Sequence, residues 1–448
     1  NLSLDDALRL TGSDGNTLMK LPVHHFEAGP KLQNVLERYH KQKAPEPLPA
    51  PSHFTGQLRP YQERGLGWLN FLNRFNQGAC LADDMGLGKT IQVLAFIQYL
   101  KQENELTKST LLIAPTSVLT NWKREGKKFT PQLSMLEHYG SNRATTVSDL
   151  KKRLLKVDVL ITSYNLLTRD SDLFQGIDWQ GIIIDEAQAI KNPNAKQTKT
   201  VHLLNKKQSK SIFRIALTGT PIENKISEIW SIMHFLNPKV LGEIEFFKQR
   251  FQLPIERYGD ISSQKELTVL IKPFILRRLK TDKSIISDLP KKVELNEWVN
   301  LSHEQKSLYN KTLDKALTDI SSSPLGQRNG KVLGLLTRLK QICNHPALLL
   351  KEGNIEENFS DRSGKVQRLI EILDEILEVN DRALIFTQFA EWGLLLQTYL
   401  QKKWQFQIPF LHGGIQKKDR QKMIDHFQND PRGPNIFLLS LKAGGVGL

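Results

Sequence analysis

The residues Leu81–Thr90, reading LADDMGLGKT, constrain the fold of this chain more than any other feature. A short apolar run, Ala79–Ala82, leads into a glycine-containing loop, and Thr90–Leu100 then carries Ile91, Leu94 and Ile97 at helical spacing. That order is strand, loop, helix. Gly86 and Gly88 give the backbone the freedom to turn back on itself, so that N–H groups at the helix start face phosphate oxygens with the helix dipole behind them. In such a cradle Lys89 reaches the β- and γ-phosphates and the Thr90 hydroxyl holds Mg²⁺. The general pattern places a small residue where this chain has Asp83.

A second run completes the first. Gly181–Ile184 is short, continuous and β-branched, which describes a central parallel strand buried on both faces. Ligands of open α/β sheets bind beyond the carboxyl ends of the strands, where Asp185 and Glu186 of DEAQ fall. Asp185 is the candidate magnesium ligand, and Glu186 the group that orients and deprotonates an attacking water. Standing alone, DEAQ reads equally as an acidic cap on the following helix. Behind a phosphate cradle it reads as the second half of an ATP site.

The rest of the chain extends this pattern. Plausible strands at Ala79–Ala82, Thr110–Ala114, Val157–Thr162, Gly181–Ile184 and Ile212–Thr218 alternate with helical stretches, which implies right-handed βαβ crossovers in a parallel sheet. Residues 222–272 read as helical, with Trp230, Met233, Phe235, Phe246, Phe247 and Phe251 as core anchors rather than a base-stacking platform. A second α/β block without a cradle begins near Ser363, with strands at Ala383–Phe386, Gln407–Leu411 and Asn435–Leu439 and helices at Trp392–Lys403 and Lys417–Phe427. Residues 301–350 are again mostly helical.

Length and composition set the outer limits. At 448 residues the chain is too long for one core. No stretch approaches the ~18 apolar residues of a membrane span, and residues 1–30 lack a signal-peptide layout. Cys80 and Cys343 are isolated, which supports neither a disulfide framework nor a zinc site and fits a reducing compartment. The net charge of +15 points to a polyanionic partner. The acid-free run 194–214, with Lys196, Lys199, Lys206, Lys207, Lys210 and Arg214, reads first as solvated surface and second as a phosphate track.

The ordered set of segments resembles the paired RecA-like lobes of superfamily-two helicases and translocases, and in detail their Swi/Snf branch. LRPYQERGLGWL (58–69), LLIAPTSVLTNWKRE (111–125), ITSYNLL (161–167) and LTGTPIEN (217–224) follow in family order. RRLKTD (277–282), LPKK (289–292), LKQICNHPALL (339–349), ALIFTQF (383–389), FLHGG (410–414) and LLSLKAGGVGL (438–448) complete the set. The segments between 277 and 349 are specific to the branch.

The resemblance implies an α/β protein of two RecA-like parallel-sheet lobes with helical insertions, the second lobe incomplete. Residues 1–52 would be the tail of an upstream region plus a Pro-rich linker, APEPLPAP. Lobe 1 would span 53–280 with an insertion at about 239–272, and lobe 2 would span 281–448 with an insertion at about 301–350. Gln62 would read the adenine base. Thr116, Thr162, Ser163 and Tyr164 would touch DNA phosphates from lobe 1, and Thr387, Gln388, His412, Ser440, Lys442 and Ala443 from lobe 2. Gln188, which stands where many relatives have His, would couple the nucleotide to the DNA grip together with Thr218, Gly219 and Thr220.

The family's final motif, whose arginines complete the ATP site, would lie beyond Leu448, so this chain is expected to bind ATP and hydrolyse it slowly. The implied activity is an ATP- and Mg²⁺-using translocase on double-stranded DNA, bacterial, monomeric, cytoplasmic and associated with the nucleoid. RNA polymerase or another DNA-bound protein would be its target. A strand-separating DNA or RNA helicase and an ATP-gated binding scaffold are the two rival readings.

Overall fold

The computed structural model describes residues 17–18, 21–22, 46–207, 212–219, 226–282, 294–322, 324–353 and 358–441. It divides into two compact units, Asn1–Pro290 and Lys291–Leu448. Residue 280, where the sequence reading separates the lobes, therefore falls within the first unit. Ahead of the first sheet, Thr17–Leu18 and Leu21–Pro22 pair as a short antiparallel ladder.

The first unit is built on a parallel sheet of seven strands: β1 (Ala79–Leu81), β2 (Thr110–Ala114), β3 (Met135–Glu137), β4 (Val159–Ser163), β5 (Gly181–Ile184), β6 (Phe213–Leu217) and β7 (Ile275–Leu276). Their spatial order is β3-β4-β2-β5-β6-β1-β7. Because neighbours are parallel, each connection must cross over rather than turn back, and helices carry the crossovers. Helix α1 (Pro60–Arg74) precedes β1, α2 (Lys89–Gln102) follows it, and α3 (Leu119–Phe129) follows β2.

The strands β2, β4 and β5 are buried at every residue, as unbroken apolar runs require. The short strands β3 and β7 carry no comparable run and were not expected from sequence. The Pro-rich stretch is also not a free spacer over its described part. Pro51 is buried, the Leu48 N–H donates to the Glu63 carbonyl of α1 at 3.1 Å, and Ser52 bonds Gln102 of α2.

The helical region after β6 contains α4 (Ile226–Leu236) and a run from Ile244 to Ile271 broken by a π-turn at Lys248–Gln252. Trp230, Met233, Phe235, Phe247 and Phe251 form core there, whereas Phe246 is 56% exposed. His202, on the helix Lys196–Lys207, stacks edge-on against His234 of α4 and bonds the Ser231 carbonyl.

Burial pushes the His202 imidazole down to about 4, and the neighbouring His234 adds to the effect. The folded chain therefore binds fewer protons than the unfolded chain between its ordinary value of 6.5 and about 4. Stability that is fully present above pH 6.5 is lost as pH falls through that window, by at most on the order of 3 kcal/mol from this one group. His202→Gln is expected to flatten the dependence of the thermal midpoint on pH between 6.5 and 4. An unchanged slope would assign the acid lability to other groups.

The second unit holds a three-stranded parallel sheet: β8 (Ala383–Thr387), β9 (Phe410–Leu411) and β10 (Ile436–Ser440), in the order β8-β10-β9. The strand expected over Gln407–Leu411 shrinks to two residues. Pro409 has no N–H to donate, and the Ile408 carbonyl is taken by the Gln397 side chain at 2.6 Å.

The helices His303–Ser321 and Leu325–Asn344 pack together and are fastened to the sheet-bearing part by side chains. Arg362 forms a fork on Glu304, at 2.9 and 2.7 Å, and also bonds Glu352. His345 is fully buried, accepts from the Ala347 N–H and donates from Nε2 to the Phe359 carbonyl, while its ring stacks on Phe359.

Candidate active site

The carboxyl ends of β1, β5 and β6 bring together the two halves read from the sequence. After β1 the chain forms a loop in which Gly86 (φ 84°) and Gly88 (φ 75°) adopt left-handed backbone that other residues avoid. Gly88 caps α2, whose first residue is Lys89. A Cβ on Gly88 would stand 2.5 Å from Gln62 Nε2, so the close approach also demands glycine.

Lys89 Nζ donates to the Asp83 carbonyl at 2.7 Å. Burial lowers the Lys89 pKa, against the attraction of Glu186, Asp185 and Asp83. A buried cation beneath a ring of backbone N–H groups suits an anionic ligand of several charges.

Asp83 is fully buried and Arg278, from just beyond β7, is 7% exposed. Arg278 Nε donates to Asp83 Oδ1 at 2.8 Å, and Nη2 reaches Asp83 Oδ2 and also Gln92 Oε1, the latter at 2.6 Å. Nη1 donates to the Tyr61 carbonyl. The departure from the general loop pattern is thus a designed ion pair that ties the loop to α1, α2 and the last strand. Sequence reading missed it, because Arg278 lies 195 positions from its partner.

Beyond β5, Asp185 Oδ2 accepts from Trp122 Nε1 of α3 at 2.7 Å, and Oδ1 accepts from the Glu186 N–H at 2.9 Å. Burial raises the Asp185 carboxyl to about 6, against the Trp122 bond. A desolvated carboxylate with so little cationic compensation is one that a divalent ion would stabilise.

Glu186 adopts left-handed backbone (φ 50°, ψ 59°), a strained state for a side chain with Cβ. Its carboxylate accepts from Gln188 Nε2 at 2.5 Å, and Gln188 Oε1 accepts from the Thr218 hydroxyl at 2.9 Å. Gln188 and Thr218 therefore form one wire from the end of β6 to Glu186. Gly219 follows as a bend, and Thr220 lies outside the described residues.

Thr90, at the second position of α2, hydrogen-bonds the Glu125 side chain of α3. Burial raises the Glu125 pKa, while the Asn121, Arg124 and Thr90 contacts favour its charged form. Lys89, Thr90, Asp185 and Glu186 thus stand at adjoining strand ends, and their donor set fits a nucleoside triphosphate with Mg²⁺.

Three expectations need correction. Gln62 sits under the loop, but its amide is engaged at both ends, accepting from the Arg59 N–H at 2.9 Å and donating to the Leu87 carbonyl at 3.2 Å. It is 6% exposed and not free to face a base.

Thr162, Ser163 and Tyr164 are 0, 2 and 5% exposed, which removes their side chains from contact with a DNA strand. The Thr162 hydroxyl donates to the His138 carbonyl, Ser163 caps the helix Tyr164–Arg169, and the Tyr164 hydroxyl donates to the Asp185 carbonyl at 2.7 Å. Only Thr116 of this group remains partly exposed.

In the second unit, Thr387 and Ser440 pair across β8 and β10 at their carboxyl ends, and each is 6% exposed. Their hydroxyls are not surface groups. Gln388 is exposed and His412 half-buried on the same edge, while Lys442 and Ala443 lie outside the described residues.

A family model described as the SNF2-related domain matches residues 61–348, and one described as the helicase conserved C-terminal domain matches residues 364–448. The chain is 41% identical over 424 residues to a putative ATP-dependent helicase/translocase, YwqA, of Bacillus subtilis, covering 94% of this chain and 45% of the relative. It is 32% identical to the ISWI chromatin-remodeling complex ATPase ISW2 of Saccharomyces cerevisiae, covering 88% of this chain and 35% of that one. The chain therefore spans less than half the length of these curated relatives. Among solved structures it is similar to the Sulfolobus solfataricus SWI2/SNF2 ATPase core in complex with dsDNA, at 43% identity and a TM-score of 0.51, covering 89% of this chain and 80% of that one.

Proposed function

We propose, for a chain that belongs to the SNF2 family, that it hydrolyses ATP to move along double-stranded DNA without separating the strands and so displaces bound protein. The observation that carries the ATP half is the convergence of Lys89, Asp185 and Glu186 at neighbouring strand ends. What supports the duplex half is the likeness to a relative whose core was solved with dsDNA, together with the net charge of +15.

The loop N–H groups and Lys89 bind and orient the triphosphate. Thr90 and Asp185 would hold Mg²⁺, which supplies charge neutralisation at the β- and γ-phosphates when bound. Glu186, fixed by its own backbone and by Gln188, takes a proton from the attacking water. Thr218 reports a change at Glu186 to the end of β6 through Gln188. Contacts from Thr116, Gln388 and His412 would fall on the DNA backbone, giving affinity without sequence reading.

Duplex DNA is therefore expected to stimulate ATP hydrolysis more than single-stranded DNA or RNA of equal length. The affinity for duplex should fall steeply with salt, as counterion release requires. Stronger stimulation by single strands or RNA would favour the helicase reading instead.

A further inference from the structure

Helix α3 reaches both residues assigned to the magnesium ion, and it does so from outside the ring of direct ligands. Trp122 Nε1 donates to Asp185 Oδ2 at 2.7 Å. One turn on, the Glu125 side chain bonds the Thr90 hydroxyl. Glu125 is itself held, because Asn121 Nδ2 donates to Glu125 Oε1 at 2.8 Å and Arg124 Nη2 donates to Asn121 Oδ1 at 2.9 Å. The Arg124 bond fixes which end of the Asn121 amide faces Glu125.

An ionised carboxylate only accepts hydrogen bonds, so the Thr90 O–H must donate to it. The threonine oxygen then keeps its lone pairs for the opposite side. We infer that Glu125 is a positioning residue of the ATP site, which turns the Thr90 hydroxyl so that a lone pair faces the cation, while Trp122 of the same helix fixes the Asp185 carboxylate. Partners one step outside a metal's ligands commonly set ligand orientation in this way. The inference rests on the ATP·Mg²⁺ reading above.

The Gln variant separates this role from a packing role. In Glu125→Gln, Asn121 still presents N–H and so takes the amide oxygen. The amide NH₂ then faces Thr90, and the threonine oxygen must accept from it, using the lone pair a cation would need. Glu125→Ala removes the acceptor altogether.

The test is a titration of the full chain with mant-ADP, followed by fluorescence, in excess Mg²⁺ and again in EDTA, with the thermal midpoint measured in EDTA. Both variants are expected to lose about tenfold or more of the Mg²⁺-dependent part of the affinity. Their affinity in EDTA and their thermal midpoint should match the unsubstituted protein. Trp122→Phe, which keeps the ring but not the N–H, should shift the Mg²⁺-dependent affinity in the same direction.

Equal losses with and without Mg²⁺ would overturn the proposal, since Glu125 would then serve the fold or the phosphate loop. Unchanged Mg²⁺-dependent affinity in both Glu125 variants would overturn it as well. If the unsubstituted protein failed to bind mant-ADP in either condition, the ATP reading would fall and this proposal with it.

Discussion

Replacing Glu186 with Gln is expected to lower the rate of ATP hydrolysis by ~10²–10⁴-fold while nucleotide binding stays in place. Glu186 is the carboxylate at the strand ends whose backbone is held in the left-handed region and whose side chain is gripped by Gln188. Strain of this kind, of order 1–3 kcal/mol, persists only where the surrounding structure enforces it. Gln fills the same space and can offer its oxygen to Gln188, so the geometry of the loop and of Lys89 is kept. What it cannot do is take a proton from water. Steady-state hydrolysis measured beside mant-ATP binding checks both halves. A Glu186→Gln protein that hydrolyses ATP near the unsubstituted rate would show that the proton goes elsewhere.

The second large effect concerns stability. Arg278→Ala leaves the fully buried Asp83 without its cation and leaves the Gln92 and Tyr61 oxygens without their donor. Breaking a buried pair from one side costs about 3–5 kcal/mol. Chemical denaturation followed by tryptophan fluorescence is expected to show that loss in the first unit. Combining Arg278→Met with Asp83→Leu should cost less than the sum of the two single changes, because the two residues are in contact. Strict additivity would mean that the pair is not coupled as its geometry says.

The Asp83–Arg278 pair also marks the boundary of what a sequence can disclose. The β1–loop–α2 segment and the strands β2 and β5 were legible because each is a local pattern, either an apolar run with defined ends or glycines at a turn. The placement of Asp185 and Glu186 followed from the rule that parallel sheets bind ligands at their carboxyl ends. Asp83 could be seen only as an exception, since its explanation comes from a residue brought alongside by the last strand. Strands β3 and β7 were missed for a related reason. Runs of three and two residues carry no periodicity and are specified by the neighbours they pair with.

Side-chain direction was the other blind spot. Thr162, Ser163 and Tyr164 follow a strand, as phosphate-contacting hydroxyls often do, yet all three turn inward. The Tyr164 hydroxyl ends on the Asp185 carbonyl, so a residue expected on the DNA side in fact supports the nucleotide side. Gln62 likewise reached the expected neighbourhood with its amide already engaged. Composition and motif order locate such residues along the chain. Only burial and hydrogen-bond partners show what each can still reach.

Displacement of a triplex-forming oligonucleotide from duplex DNA tests the proposed function most directly, because it reports motion along a duplex without requiring the strands to part. The account predicts ATP-dependent release of the third strand, lost in Glu186→Gln, with the underlying duplex left intact. Release of a duplex strand in the same reaction, or triplex displacement that proceeds equally well without ATP, would contradict it.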